Sequence, residues 1–162
     1  MAKPVYNNFE VWYNNTNRLM ERSMNSVEVK GGTKAQKDLA TKVVGWYLKK
    51  MLPRHRTLDI TVKFTNCMKK SGAYGYCMQE DAREYEIEID KTLRLYDLVS
   101  TLTHELTHLK QYVRKEMVCL EDGRIRWKKK VYGDIAYEDS PWEKEAFRVE
   151  KQLALECFEE VL

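Results

Sequence analysis

The chain has 162 residues, 43% of them hydrophobic and 33% charged, which fits one globular domain and excludes a disordered or low-complexity chain. Its 28 Lys and Arg stand against 25 Asp and Glu, and so small a surplus does not by itself point to nucleic acid as a partner. No apolar run is long enough to cross a bilayer.

The N-terminal stretch Met1–Asn8 has neither an apolar h-region nor a cleavage-site pattern. The cysteines Cys67, Cys77, Cys119 and Cys157 are scattered without CxxC spacing. Together these features predict reduced thiols and a cytoplasmic location. Cys67 and Cys77 flank a turn and could face each other across it, as could any two residues so placed.

Phe9, Trp12, Tyr13, Thr16, Met20, Met24 and Val27 recur at helical spacing, predicting an amphipathic first helix that Gly31-Gly32 ends. Thr33 is the N-cap expected for a second helix to about Leu52, with Leu39, Val43, Trp46 and Tyr47 as its apolar stripe and Pro53 as its stop. Leu58, Ile60, Val62 and Phe64 then alternate with polar residues, as do Tyr85, Ile87 and Ile89 with Glu84, Glu86, Glu88 and Asp90. Tyr74–Met78 reads as a strand between them, after the turn Lys69-Lys70-Ser71-Gly72. Helical spacing returns over residues 95–114, with Leu98, Leu102, Leu106, Leu109 and Val113 on one stripe. Met117–Val131 reads as a hairpin turning at Asp122-Gly123, and Ser140-Pro141 opens a last helix over residues 140–162. The expected architecture is one α+β domain over residues 1–162: N-terminal helices to 52, a small mixed or antiparallel sheet over 58–90, and the later helix packed on it.

That later helix carries His104-Glu105-Leu106-Thr107-His108. Residues four apart stand one turn along the same face, so both imidazoles can reach one metal ion at about 2.0–2.1 Å. Glu105 points off the histidine line, where it can act as general base toward water activated by the metal. The expected chemistry is zinc-dependent hydrolysis of a peptide bond, with Glu105 passing the proton to the leaving amine.

A catalytic zinc needs a third protein ligand and one open position. No histidine follows His108, and His55 sits upstream in the basic loop Pro53-Arg54-His55-Arg56. That argues against zincins completed by a later histidine. The remaining candidates are Glu143 and Glu145 on the last helix. Glu143 also fits a capping box with Ser140, which would leave Glu145 as the carboxylate available to metal.

Thr103–Gln111 (THELTHLKQ) and Tyr137–Ala146 (YEDSPWEKEA) resemble the two signature blocks of small gluzincin-type peptidases, the minigluzincin-like HExxH proteins of bacteria and phages. Trp127–Tyr132 is similar to a hairpin between those blocks, so the resemblance runs from about Tyr85 to Val149. It implies a compact zincin-like domain, one Zn2+ per chain, and a peptide or protein substrate. The family's third ligand is a Glu followed three positions later by a small residue, which implies Glu143, with Ala146. Phe147 stands where the family has an Asp or Asn, so the resemblance supplies no residue to orient the ligand.

Tyr137 and Tyr132 are candidates for stabilising an oxyanion, or else pack at the hairpin and rim. The acidic face Glu84-Glu86-Glu88 would favour basic peptides if its strand edged the cleft, and is otherwise a solvated face. Lys128-Lys129-Lys130 is a nucleic-acid hint or simply a hairpin surface. Two rival functions follow: a zinc-stabilised binding module without activity, and a DNA-associated accessory protein.

Overall fold

The computed structural model describes residues 24–162. The first strand, β1 (Ser26–Lys30), is followed by helix α1 (Lys34–Met51), β2 (Asp59–Thr65), the short helix α2 (Cys67–Ser71), β3 (Gly75–Asp81) and β4 (Glu84–Asp90). Helix α3 (Leu95–Val113) comes next, then β5 (Met117–Cys119), β6 (Ile125–Trp127) and β7 (Lys130–Tyr132). A 3-10 turn at Tyr137–Asp139 leads into α4 (Pro141–Glu160).

The larger sheet has the order β1-β2-β4-β3. β1 and β4 run parallel to β2, and β3 is antiparallel to β4, so the sheet is mixed and the class is α+β. The smaller sheet, β5-β6-β7, is antiparallel. Its first turn lies where Asp122-Gly123 predicts it, with Gly123 at φ 84°, and a third strand extends the hairpin.

The segment expected to close a first helix differs. Val27 is in β1, where it pairs with Ile60 as Val29 pairs with Val62. Two β-branched residues two apart, beside an alternating strand, serve a pleat better than a helix. Met24 precedes β1 in a bend and is exposed, and the other positions of that expected helix, Phe9 to Met20, lie outside the described residues. Gly31 therefore ends a strand. At φ 69° a Cβ there would stand 2.6 Å from the Phe64 carbonyl oxygen, so only glycine fits the passage into α1. Thr33 caps that helix in a full capping box with Gln36.

Residues 69–71, expected as turn, belong to α2, which Gly72 closes in the left-handed conformation at φ 76°. β4 is an inner strand, which corrects the idea that Tyr85–Ile89 edges the cleft; β3 holds that edge. The acidic face of β4 is used within the fold: Glu86 pairs with Lys63, and Glu88 accepts a bond from Thr65. All four cysteines are free, Cys67 and Cys77 included. No helix among the described residues is long and apolar enough to cross a membrane.

The core lies between the sheet and the helices: Val43, Val44 and Tyr47 of α1, Ile60 and Val62 of β2, Ile87 and Ile89 of β4, and Leu102, Leu106 and Leu109 of α3 are all fully buried. α3 touches β3, β4, α1 and α4, so it is covered on nearly every side. Every residue from Leu102 to Gln111 is buried, polar ones included. Buried polar side chains must find partners or face a ligand.

Candidate metal centre

α3 brings His104, Glu105 and His108 inward at 6%, 6% and 7% exposure. α4 crosses it with Pro141 at its start, Trp142 packed on Trp127 and Tyr132, and Glu143 in its first turn. His104 Nε2 and His108 Nε2 each lie 3.2 Å from Glu143 Oε2, and the two nitrogens lie 3.2 Å from each other. Ligand atoms about 2.0–2.1 Å from a tetrahedral zinc stand about 3.3–3.4 Å apart. The three atoms thus stand close to the spacing of one face of a zinc-sized tetrahedron.

Two further side chains orient the rings. Gln111 Nε2 donates to the Trp142 carbonyl at 3.0 Å and to Glu145 Oε2 at 2.9 Å, which turns its Oε1 to His108 Nδ1 at 2.9 Å. His104 Nδ1 lies 2.7 Å from Glu150 Oε2. Both Nδ1 atoms must therefore be donors, and in the neutral rings both Nε2 atoms present lone pairs to Glu143. Three electron-rich atoms this close repel one another unless a cation lies among them. The donor set fits a divalent metal ion.

The same demand for positive charge governs protonation. Burial works against the His104 imidazolium, but Glu143 and Glu150 more than offset it and hold its pKa at about 9. His108 is raised in the same way by Glu143 and Glu105, again against burial. Burial would raise Glu143, yet hydrogen bonds from both histidines bring it down to about 2. Glu105 moves oppositely: burial lifts it to about 7, only partly countered by His108 and His104.

Of the two candidate glutamates, the structure brings Glu143 to the histidines and Glu145 elsewhere. Glu145 pairs with Lys110 at 3.1 Å and holds Gln111. The capping-box reading of Glu143 fails, because Ser140 Oγ donates to the Ala136 carbonyl and caps nothing. Phe147 packs edge-on to His104 with ring centroids 4.7 Å apart, and the supporting carboxylate comes from Glu150. Tyr137 lines both cavities beside the site, while Tyr132 packs on Trp142. His55 lies outside the cluster.

Sequence reasoning missed Gln111 and Glu150, although a signal exists for each. Gln111 is three residues past His108, and Glu150 is seven past Glu143, spacings that return to the same helix face.

Glu105 has neither a hydrogen bond nor an ion pair with any described residue. It stands at the junction of two cavities that share His104, Glu105, Gly75 and Tyr137. One, about 590 Å³, carries Asp97, Phe147 and Glu150. The other, about 210 Å³, is lined by Cys77, Tyr112, Met117, Ile125 and Trp142. β3 runs beside them, and Gly75 lets Glu105 come close: a Cβ there would lie 2.9 Å from Glu105 Oε1. Comparison with protein-family models, curated proteins and solved structures finds no match.

Proposed function

We propose that the protein is a zinc-dependent peptidase, with His104, His108 and Glu143 as metal ligands and Glu105 as general base. One observation carries the reading: a zinc-sized triangle of two imidazole nitrogens and a carboxylate oxygen stands beside a buried, unpaired carboxylate that opens on a cleft. When bound, zinc supplies Lewis acidity, polarising a carbonyl and lowering the pKa of water from about 15.7 to near 7.

The chain's own residues do the rest. Glu105, buried and unpaired beside the histidines, can accept a proton and release it to a leaving amine. Gln111 and Glu150 keep both Nε2 lone pairs aimed at the ion. The Tyr137 side chain lines the cleft beside Glu105, and its hydroxyl can donate to negative charge that develops on a substrate carbonyl. The edge strand β3 offers unpaired backbone groups along the cleft to an extended peptide. The resemblance of Thr103–Gln111 and Tyr137–Ala146 to gluzincin signature blocks supports the same reading.

Glu105 also separates this reading from a zinc-stabilised binding module. Burying an unpaired carboxylate costs stability, and a structural site has no use for one. Glu105→Gln is the test. It should keep the zinc and the fold while lowering cleavage of a peptide library about 10²–10⁴-fold. Wild-type cleavage by that variant would refute the role of Glu105. A zinc-loaded wild type that cleaves nothing would leave the module as the better account.

A further inference from the structure

A third cavity, about 500 Å³, lies away from the metal centre beyond the Tyr85–Tyr112 ring contact. Three separate stretches of chain wall it: the loop after α1 with Arg54, His55 and Arg56, the β3–β4 turn with Arg83, and the α3–β5 turn with Lys115. Every charged residue lining it is a cation. None of Arg54, Arg56, Arg83 or Lys115 forms an ion pair among the described residues, and Arg83 is held in place by a 3.0 Å bond to Thr57 Oγ1.

Lys115 adds an independent sign. It occupies the left-handed region at φ 55°, just past the end of α3, where glycine is the residue the backbone favours. A side chain kept there against that preference points to a use for it. The Lys128 amide bonds the Glu116 carbonyl, which brings the start of the run Lys128–Lys130 beside the residue that follows Lys115. Lys128 lies over the Trp127 ring and Lys130 over the Tyr132 ring.

We propose that this cavity, with Arg54, Arg56, Arg83 and Lys115, binds the phosphate backbone of single-stranded nucleic acid. Four cations contributed by three separate stretches of chain match a ligand that carries several negative charges. The continuation toward Lys128–Lys130 suits a chain of phosphates, the usual partner of a positively charged groove. The chain's own N-terminal segment is the poorer occupant. Residues 1–23 of this chain bring Lys3, Arg18 and Arg22 against Glu10 and Glu21, and so offer no complementary charge. The overall surplus of three positive charges is modest, but folding gathers cations from distant parts of the sequence into one place.

The test is fluorescence anisotropy of a labelled mixed-sequence DNA oligonucleotide with the full chain, over a range of salt concentrations. The affinity should fall as salt rises, with a slope of about 0.7 per phosphate contact. Arg56→Glu/Arg83→Glu should weaken binding at least about tenfold and flatten that slope, with zinc content unchanged. Lys115→Gly should weaken binding while Tm stays level or rises, which separates loss of the site from loss of the fold. Lys37→Glu, an equal charge change on the exposed face of α1, should have little effect. No salt-dependent binding would overturn the proposal. So would a loss in Lys37→Glu as large as that of a single Arg83→Glu, or displacement of the oligonucleotide by equimolar inorganic phosphate. The readout is binding alone, so its failure leaves the peptidase reading untouched.

Discussion

Gln111 accepts the Nδ1 proton of His108 at 2.9 Å because its amide nitrogen is already committed to the Trp142 carbonyl and to Glu145. One side chain on α3 thus joins the start of α4 to the orientation of the His108 ring. The arrival of Glu143 and the aim of His108 are fixed together.

Gln111→Leu removes that coupling while keeping comparable volume. His108 loses the acceptor that holds its ring, and Glu145 keeps only Lys110. Zinc affinity should fall about 10–100-fold, as is typical when the support of a ligating histidine is lost. Competition against a chromophoric chelator measures it, and unchanged affinity would show that packing alone orients the ring.

Gly75→Ala tests how closely β3 approaches Glu105, the proposed general base. The new Cβ would sit 2.9 Å from Glu105 Oε1 and 3.0 Å from Thr101 Cγ2, so Glu105 must move. A displacement near 1 Å costs about 10²-fold in rate, and the atoms nearest the new Cβ belong to Glu105 and Thr101 rather than to a proposed zinc ligand. Turnover should drop with zinc content intact, as measured by kcat and elemental analysis of the same sample.

Asp90 tests the scaffold. Its carboxylate accepts bonds from the Met68 amide and from the amide and hydroxyl of Thr92, tying α2 and the turn before α3 to the end of β4. The Thr92 hydroxyl is the largest influence holding its carboxyl below the usual range. Asp90→Ala should cost about 1.5–3 kcal/mol at neutral pH. Because the folded pKa is depressed, that contribution is complete above the unfolded value and is lost as pH falls through the folded one. Chemical denaturation should therefore show a gap between wild type and variant that is constant from about pH 7 to 5 and narrows below about pH 4.

How much was legible in the sequence depended on how local each feature is. His104, Glu105 and His108 lie within one turn of one helix, and periodicity alone sets their relation. Thr33 and Gly123 act within a few residues and were equally readable. β1 was not, because Val27 and Val29 take their conformation from pairing with Ile60 and Val62, more than 30 residues away. Gln111 and Glu150 acquire their roles only where α3 and α4 cross. The basic cavity draws on three turns that no motif connects.

The most direct test of the whole account is zinc affinity in the two glutamate variants of α4. Wild type should carry about one zinc per chain. Glu143→Gln removes the carboxylate that lies 3.2 Å from both imidazoles and should lose zinc to a chelator that leaves wild type loaded. Glu145→Gln disturbs only the Lys110 and Gln111 bonds and should remain within about tenfold of wild type. Wild-type affinity in Glu143→Gln, with a metal-free Glu145→Gln, would contradict the site described here.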